Sequence, residues 1–200
     1  MGLWNVAIFS PRWMGAQLKE LFGLPRMDVS FITDERGPQV RYGTERFEVF
    51  PQASGLIVAM KRIDDESLQD AERLVAHILK TLSHTPISAF GVNFALQNDE
   101  ISPDLASFFR LDDGVRLAEN DFRSTKLSIQ RSLAVDDAVL NVTLTAPGDR
   151  SPLSVHLNFH HDVTCAEEAR RSLSGRVLRY KSYGLDFLDR VYGLTMEDAP

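Results

Sequence analysis

The chain has 200 residues, of which 44% are hydrophobic and 25% are charged, the composition of a globular protein that can bury a substantial core. Its formal net charge of −6 argues against a general nucleic-acid binder, which needs a basic face to offset phosphate repulsion. A single cysteine excludes an intramolecular disulfide and favours a reducing compartment. The opening MGLWNVAIFS lacks the basic and apolar regions of a signal peptide, and no apolar run approaches the length of a membrane span. We therefore expect a cytoplasmic protein without a membrane partner.

The first half of the chain predicts a strand, a helix, three strands and a second helix. The apolar run 3–9 indicates a buried strand, and Ser10-Pro11 is a typical start for a helix that ends before Gly23. Further strands, separated by turns at 34–38 and 51–55, are predicted at 27–33, 39–50 (broken at Gly43) and 55–63. A helix is predicted at 65–83, because apolar residues recur there at the spacing of one buried stripe. The stripe consists of Leu68, Ala71, Leu74, Val75, Ile78, Leu79 and Leu82.

After Pro86 the same order of elements begins again. Residues 87–97 predict a strand, and Ser102-Pro103 repeats the start of a short helix that stops before Asp112. Meander strands are predicted at 122–133, 138–145 and 153–160. A helical region follows from Cys165 towards residue 194, with interruptions near Gly175 and Gly184. Thr164 and Glu167 have the spacing of a capping box at its start.

The element order β-α-β-β-β-α is thus predicted twice, at about residues 1–84 and 85–200. The segments 18–24 and 105–111 support a duplication, because their apolar residues match at four positions. We expect a single α+β domain of two pseudo-repeats. Its strands should form one continuous, largely antiparallel sheet with the helices packed on one face, because each helix has an apolar stripe that must be covered.

Two resemblances follow from this order. The duplicated arrangement of strand, helix, antiparallel strands and helix is similar to the saddle fold of the TATA-binding protein, and it implies a nucleic-acid-binding saddle as one alternative. That resemblance concerns topology, and no functional residue is carried over. The long helix, then Ile87-Ser-Ala-Phe-Gly-Val-Asn-Phe94, then a final helix with Leu185, Phe187 and Leu188, resembles a sporadically distributed bacterial family of unassigned function.

The stretch VHLNFHHDVTC at 155–165 holds three of the five histidines and the cysteine. His156 and His160 alternate with apolar residues at the period of a half-buried strand. Side chains four residues apart on a strand are roughly 13 Å apart, so these two histidines cannot share one metal ion. We predict neither a metal nor a cofactor.

Cys165 is the candidate nucleophile. It lies at the start of a predicted helix, where the amide dipoles favour a thiolate. With His160 or His161 as a base it would form a Cys-His pair for hydrolysis or acyl transfer. The sequence therefore leaves an enzyme as an alternative, although it contains no oxyanion-hole motif or third member.

The leading prediction is a non-catalytic binding or assembly protein that recognises a protein partner or a second copy of itself. The polar residues that alternate along the meander strands are almost all uncharged, which suits close docking because charges at the centre of an interface are costly to desolvate. The predicted contact residues are Gln130, Asn141, Thr143, His156, Asn158 and His160.

Overall fold

A computed structural model of the protein describes residues 1–23, 26–34, 37–98, 103–109, 113–147 and 152–195. The predicted α+β class is confirmed: within these residues the strands form two four-stranded antiparallel sheets. The chain divides into two compact units. The first unit contains Met1–Phe90 and Asp162–Arg179, and the second contains Gly91–His161 and residues 180–195.

The first unit contains a meander sheet whose strand order is β1-β2-β3-β4. Its strands are β1 (Asp28–Asp34), β2 (Gly37–Gly43), β3 (Phe47–Gln52) and β4 (Gly55–Met60). Its helices are α1 (Pro11–Phe22), α2 (Asp65–Thr81) and α5 (Ala166–Leu173). Ser10 and Asp64 cap α1 and α2, because their side-chain oxygens accept hydrogen bonds from Trp13 and Ser67 amides.

The core of the first unit lies between α1, α2 and one face of this sheet. The predicted stripe of α2 is confirmed: Leu74 and Ile78 are fully buried. They pack in one cluster with the following buried residues: Phe9, Met14, Leu18, Tyr42, Phe47 and Val49. The regular 3.6-residue period of the helix is what places these side chains on one face.

The predicted strand at residues 3–9 is wrong. Leu3 is 74% exposed, and Val6–Ile8 form a short 3-10 helix. The side chain of Asn5 accepts a hydrogen bond from the Ala7 amide, which turns the chain locally. Only a single antiparallel bridge, between Gly2 and Ile87, resembles a strand pairing in this described segment.

The second unit contains a sheet whose strand order is β5-β8-β7-β6. Its strands are β5 (Ala89–Asn98), β6 (Lys126–Val135), β7 (Ala138–Pro147) and β8 (Leu153–Asp162). Its helices are α3 (Pro103–Phe108), α4 (Gly114–Glu119) and α6 (Arg176–Tyr192), although the first residues of β5 and α6 and the last of β8 belong to the first unit. The meander strands β6 to β8 confirm the prediction, whereas α4 was not predicted.

Alternate residues of β7 and β8 form the core of the second unit. These residues are at most 1% exposed: Leu140, Val142, Leu144, Leu153, Val155, Leu157 and Phe159. Helix α6 covers them with Tyr180, Leu188 and Tyr192, and the Tyr180 ring stacks on Phe159 with the centroids 4.2 Å apart. The other face of each strand therefore points away from this helix.

Several predictions about the arrangement of elements are corrected by the structure. The predicted single continuous sheet is wrong, because two sheets form. The two halves also do not share an element order, since residues 3–9 contribute no strand and the predicted break at Gly43, which is confirmed, divides 39–50 between two strands. The domain prediction, a single domain of two pseudo-repeats, stays a prediction.

The C-terminal helical region is interrupted once, not twice. The break at Gly175 is confirmed: its φ of +71° is unfavourable for other residues, and it separates α5 from α6. The predicted break at Gly184 is wrong, since α6 runs through it. The tips of the turn at 34–38 (Glu35 and Arg36), together with Leu24, Ser102, Leu111 and Asp112, lie outside the described residues.

Candidate functional site: the polar face

The polar face is the side of the second unit's sheet that points away from α6. Its members alternate, as predicted for the meander strands, with residues on the α6 side, which are buried on β7 and β8 and mostly half-buried on β5 and β6. They are Gly91, Asn93, Ala95 and Gln97 on β5; Lys126, Ser128, Gln130 and Ser132 on β6; Asn141, Thr143 and Thr145 on β7; and Ser154, His156, Asn158 and His160 on β8.

The strand register brings the predicted contact residues together. Gln130 on β6 lies opposite Thr143 on β7, which lies opposite His156 on β8. Asn141 lies opposite Asn158 in the next row. His160 lies opposite Val139 at the end of the face. Directly opposed side chains on one face are about 5 Å apart, so the predicted residues form one contiguous patch.

A chain of hydrogen bonds, which we call the ladder, crosses all four strands of the polar face. The Ser132 hydroxyl donates to Asn141 Oδ1 at 2.7 Å, and Asn141 Nδ2 donates to Asn158 Oδ1 at 3.1 Å. Asn158 Nδ2 then donates to Asn93 Oδ1 at 2.7 Å. Each amide in the middle of the ladder is held by both neighbours, which fixes its orientation.

Gly91 leaves the space that the ladder needs. A Cβ atom at this position would lie 2.7 Å from Nδ2 of Asn158, closer than nonbonded carbon and nitrogen atoms approach. Any other residue would therefore push the Asn158 amide out of its position. The close approach of the Asn158 amide to the backbone explains why position 91 is a glycine.

The polar face carries little charge. Of the members given above, Lys126 alone has a formal charge at neutral pH. A shallow, open hollow of about 660 Å³ lies on this face and is lined by Ala95, Gln97, Thr143, Ser154 and His156, among others. The surface thus offers neutral donors and acceptors around an open hollow.

The histidines of the 155–165 stretch divide between two environments. His156 is exposed and His160 is half-buried on the polar face. His161 points to the opposite side, where it is 3% exposed and its Nε2 lies 2.6 Å from the Tyr180 hydroxyl. Since His161 is buried and hydrogen-bonded, its position is explained by packing.

Cys165 is exposed and belongs to the first unit, whereas His160 and His161 belong to the second. It is the N-cap residue of α5, one position before the predicted one, and its side chain caps nothing. The Cys-His pairing stays a prediction.

The capping box predicted for Thr164 and Glu167 is wrong. Thr164 donates from both its amide and its hydroxyl to Glu168, each at 2.7 Å. Glu167 instead accepts from Arg170. The N-cap residue of α5 is Cys165, so Thr164 lies one position before the cap. Its hydrogen bonds therefore reach Glu168, four residues further along the chain, and not Glu167.

Within the described part of the chain, no three His, Cys, Asp or Glu side chains come together as metal ligands. No helix in the same residues is long and apolar enough to cross a membrane.

The chain matches no family model, no curated protein and no solved structure. The resemblances to the TATA-binding-protein saddle and to a bacterial family stay predictions.

The predicted contact residues did not include Asn93 and Ser132. Their roles at the two ends of the ladder depend on the cross-strand register. A register is set by turns and by packing of distant segments, so the alternation within one strand does not reveal it.

Proposed function

We propose that the protein is a non-catalytic binding or assembly protein that recognises a protein partner through the polar face. The ladder is the observation that carries this proposal. It fixes four polar side chains, one on each strand, across an exposed surface.

Ordering of the polar side chains before binding favours association. Immobilising a flexible side chain at an interface costs about 0.5–1.5 kcal/mol. In the ladder, Asn141 and Asn158 already have their amides oriented by hydrogen bonds, so a partner meets donors and acceptors in fixed positions.

The near absence of charge supports docking at the centre of the face. Charged groups are depleted at the core of protein interfaces because they lose their hydration there. The central strands β7 and β8 contribute neutral side chains at this surface, among them Thr143 and Asn158. Lys126 lies at an end of the edge strand β6, where a charge can stay hydrated at the rim.

The experiment places charge at the centre of the face while it preserves the fold. Asn141→Glu combined with Asn158→Lys puts opposite charges on two directly opposed residues, which stabilises the strand pairing. Circular dichroism and the melting temperature should stay nearly unchanged. The amount of partner recovered by the tagged protein from its source cells should fall by at least about tenfold, since removing even paired charges from water at an interface costs a few kcal/mol.

Val115→Glu is the matched control. Val115 is 69% exposed on α4, which is not part of the sheet, so this variant adds a charge to the same unit without touching the polar face. It should recover partner at the wild-type level. Equal recovery by all three proteins would show that the face is only solvated surface.

A further inference from the structure

Among the described residues, the backbone of β5 from Gly91 to Gln97 has a neighbouring strand, β8, on one side only. β5 is the last strand of its sheet, next to β8. At its start, Ser88 C=O accepts from the Val163 amide on the β8 side, whereas the Ala89 C=O accepts from the amino group of Met1 on the other side. Backbone groups of successive residues point to opposite neighbours in a strand. Gly91, Asn93, Ala95 and Gln97 therefore direct their amide and carbonyl groups to the free side.

This free edge, residues 91–97, lacks the features that keep strand edges from pairing. Native edge strands carry charged residues or proline as protection. The other edge of the same sheet follows this rule, since β6 contains Lys126 and Arg131. β5 has ten residues without a charge or a proline.

The sequence of the free edge is complementary to itself in the antiparallel direction. A two-fold axis at Phe94 would place Gly91 opposite Gln97 and Asn93 opposite Ala95, so that each longer polar side chain faces a small one. On the other side of the strand, Val92 would lie opposite Leu96, and Phe94 opposite its own copy. The residues whose backbone groups face the free side become the hydrogen-bonded pairs of this register.

The apolar side chains of β5 are only partly buried, as expected for a strand that lacks a neighbour on one side. Val92, Phe94 and Leu96 pack against the core of the second unit but are only half-buried, whereas the corresponding residues of β8 are at most 1% exposed. A strand added beside β5 would cover this apolar row. Aromatic and aliphatic pairs of this kind stabilise antiparallel strands.

We propose that two copies of this chain associate through the free edge, β5 against β5 in antiparallel register about Phe94. The second copy is the occupant that the strand sequence favours, because the chain's own sequence supplies the matched pairs about Phe94 and because uncharged edges do not repel each other. The polar faces of the two copies would then form one continuous surface. The proposal does not rest on the proposed function, since the strand pairing uses the backbone groups of the β5 edge, whereas the proposed function uses the side chains of the polar face.

The experiment is sedimentation equilibrium of the purified full chain over a range of concentrations. The wild type should have a mass approaching twice 22.5 kDa. Ala95→Lys adds a charge beside the two-fold axis and should raise the dimer dissociation constant by at least about tenfold. Ser128→Lys, on the same face but on β6, is the matched control and should sediment like the wild type.

Ala95→Pro is a second variant, which separates pairing from folding. The Ala95 amide faces the free side, so proline removes a donor for the second copy without removing a bond within the sheet. It should sediment as a monomer with an unchanged circular dichroism spectrum. A wild type that stays monomeric at every concentration would overturn the proposal, as would dimers that persist in both Ala95 variants. Dissociation by Ser128→Lys as well would also overturn it, since the contact would then lie on the face.

Discussion

Replacing Gly184 by alanine tests how closely α6 packs on its sheet. A Cβ atom at this position would lie 2.7 Å from Leu157 Cδ1 and 3.8 Å from Phe159 Cε2. Both side chains are at most 1% exposed, so a movement of Leu157 away from the added methyl group would disturb its packing in the core. Alanine gains about 1 kcal/mol in helix propensity over glycine, whereas overpacking a core costs about 1–3 kcal/mol. The net destabilisation is therefore about 0–2 kcal/mol.

Gly15 in α1 supplies the control for this substitution. A Cβ atom there has no neighbour within 4 Å, so Gly15→Ala should stabilise the protein by about 0.5–1 kcal/mol. In thermal melts, 1 kcal/mol corresponds to about 2–4 °C for a chain of this size. The Tm should thus rise by about 1–4 °C for Gly15→Ala and fall by up to about 8 °C for Gly184→Ala. An equal rise in both variants would refute the close packing of α6.

Three other predictions concern the first unit. Leu74→Ala should lower the free energy of unfolding by roughly 2–5 kcal/mol because Leu74 is fully buried; a shift in Tm below about 2 °C would contradict the burial. The pKa of Asp64 is lowered by the hydrogen bond from the Ser67 amide and, to a smaller extent, by that from the Ser67 hydroxyl. The ionised Asp64 therefore stabilises the protein at neutral pH, and this stabilisation is lost as the pH falls through the lowered pKa. Asp64→Asn should therefore melt at a temperature that depends less on pH between about pH 5 and 2 than the wild type does. Cys165→Ala should leave partner recovery and the Tm unchanged, and a loss of biological activity in this variant would favour the enzyme alternative.

The sequence predicts most of the second unit because its signals are local. Strand alternation identified β6, β7 and β8, and the same alternation separated the buried residues, such as Leu157, from the polar ones, such as His156. The α2 stripe was equally regular. In these segments the period of the hydrophobic pattern and the tertiary packing agree.

The predictions that failed depend on distant contacts or on competing local hydrogen bonds. Glycine weakens helices, which is why a break was predicted at Gly184. The helix is continuous there, and the glycine is needed because a Cβ atom would lie too close to Leu157 on a separate strand. Residues 3–9 are apolar enough for a strand, yet the Asn5 side chain turns the chain there. The ladder was not predictable, because it needs the register of four strands.

Covalent labelling of histidine with diethyl pyrocarbonate tests the binding role of the polar face most directly. His156 is exposed on the face, and His84 is exposed beyond the end of α2 and serves as an internal control. The protein is labelled alone and in the complex recovered from its source cells, and the modification of each histidine is measured by mass spectrometry. We predict that the partner suppresses the labelling of His156 and leaves that of His84 unchanged. Unaltered labelling of His156 in the complex would show that the partner binds elsewhere.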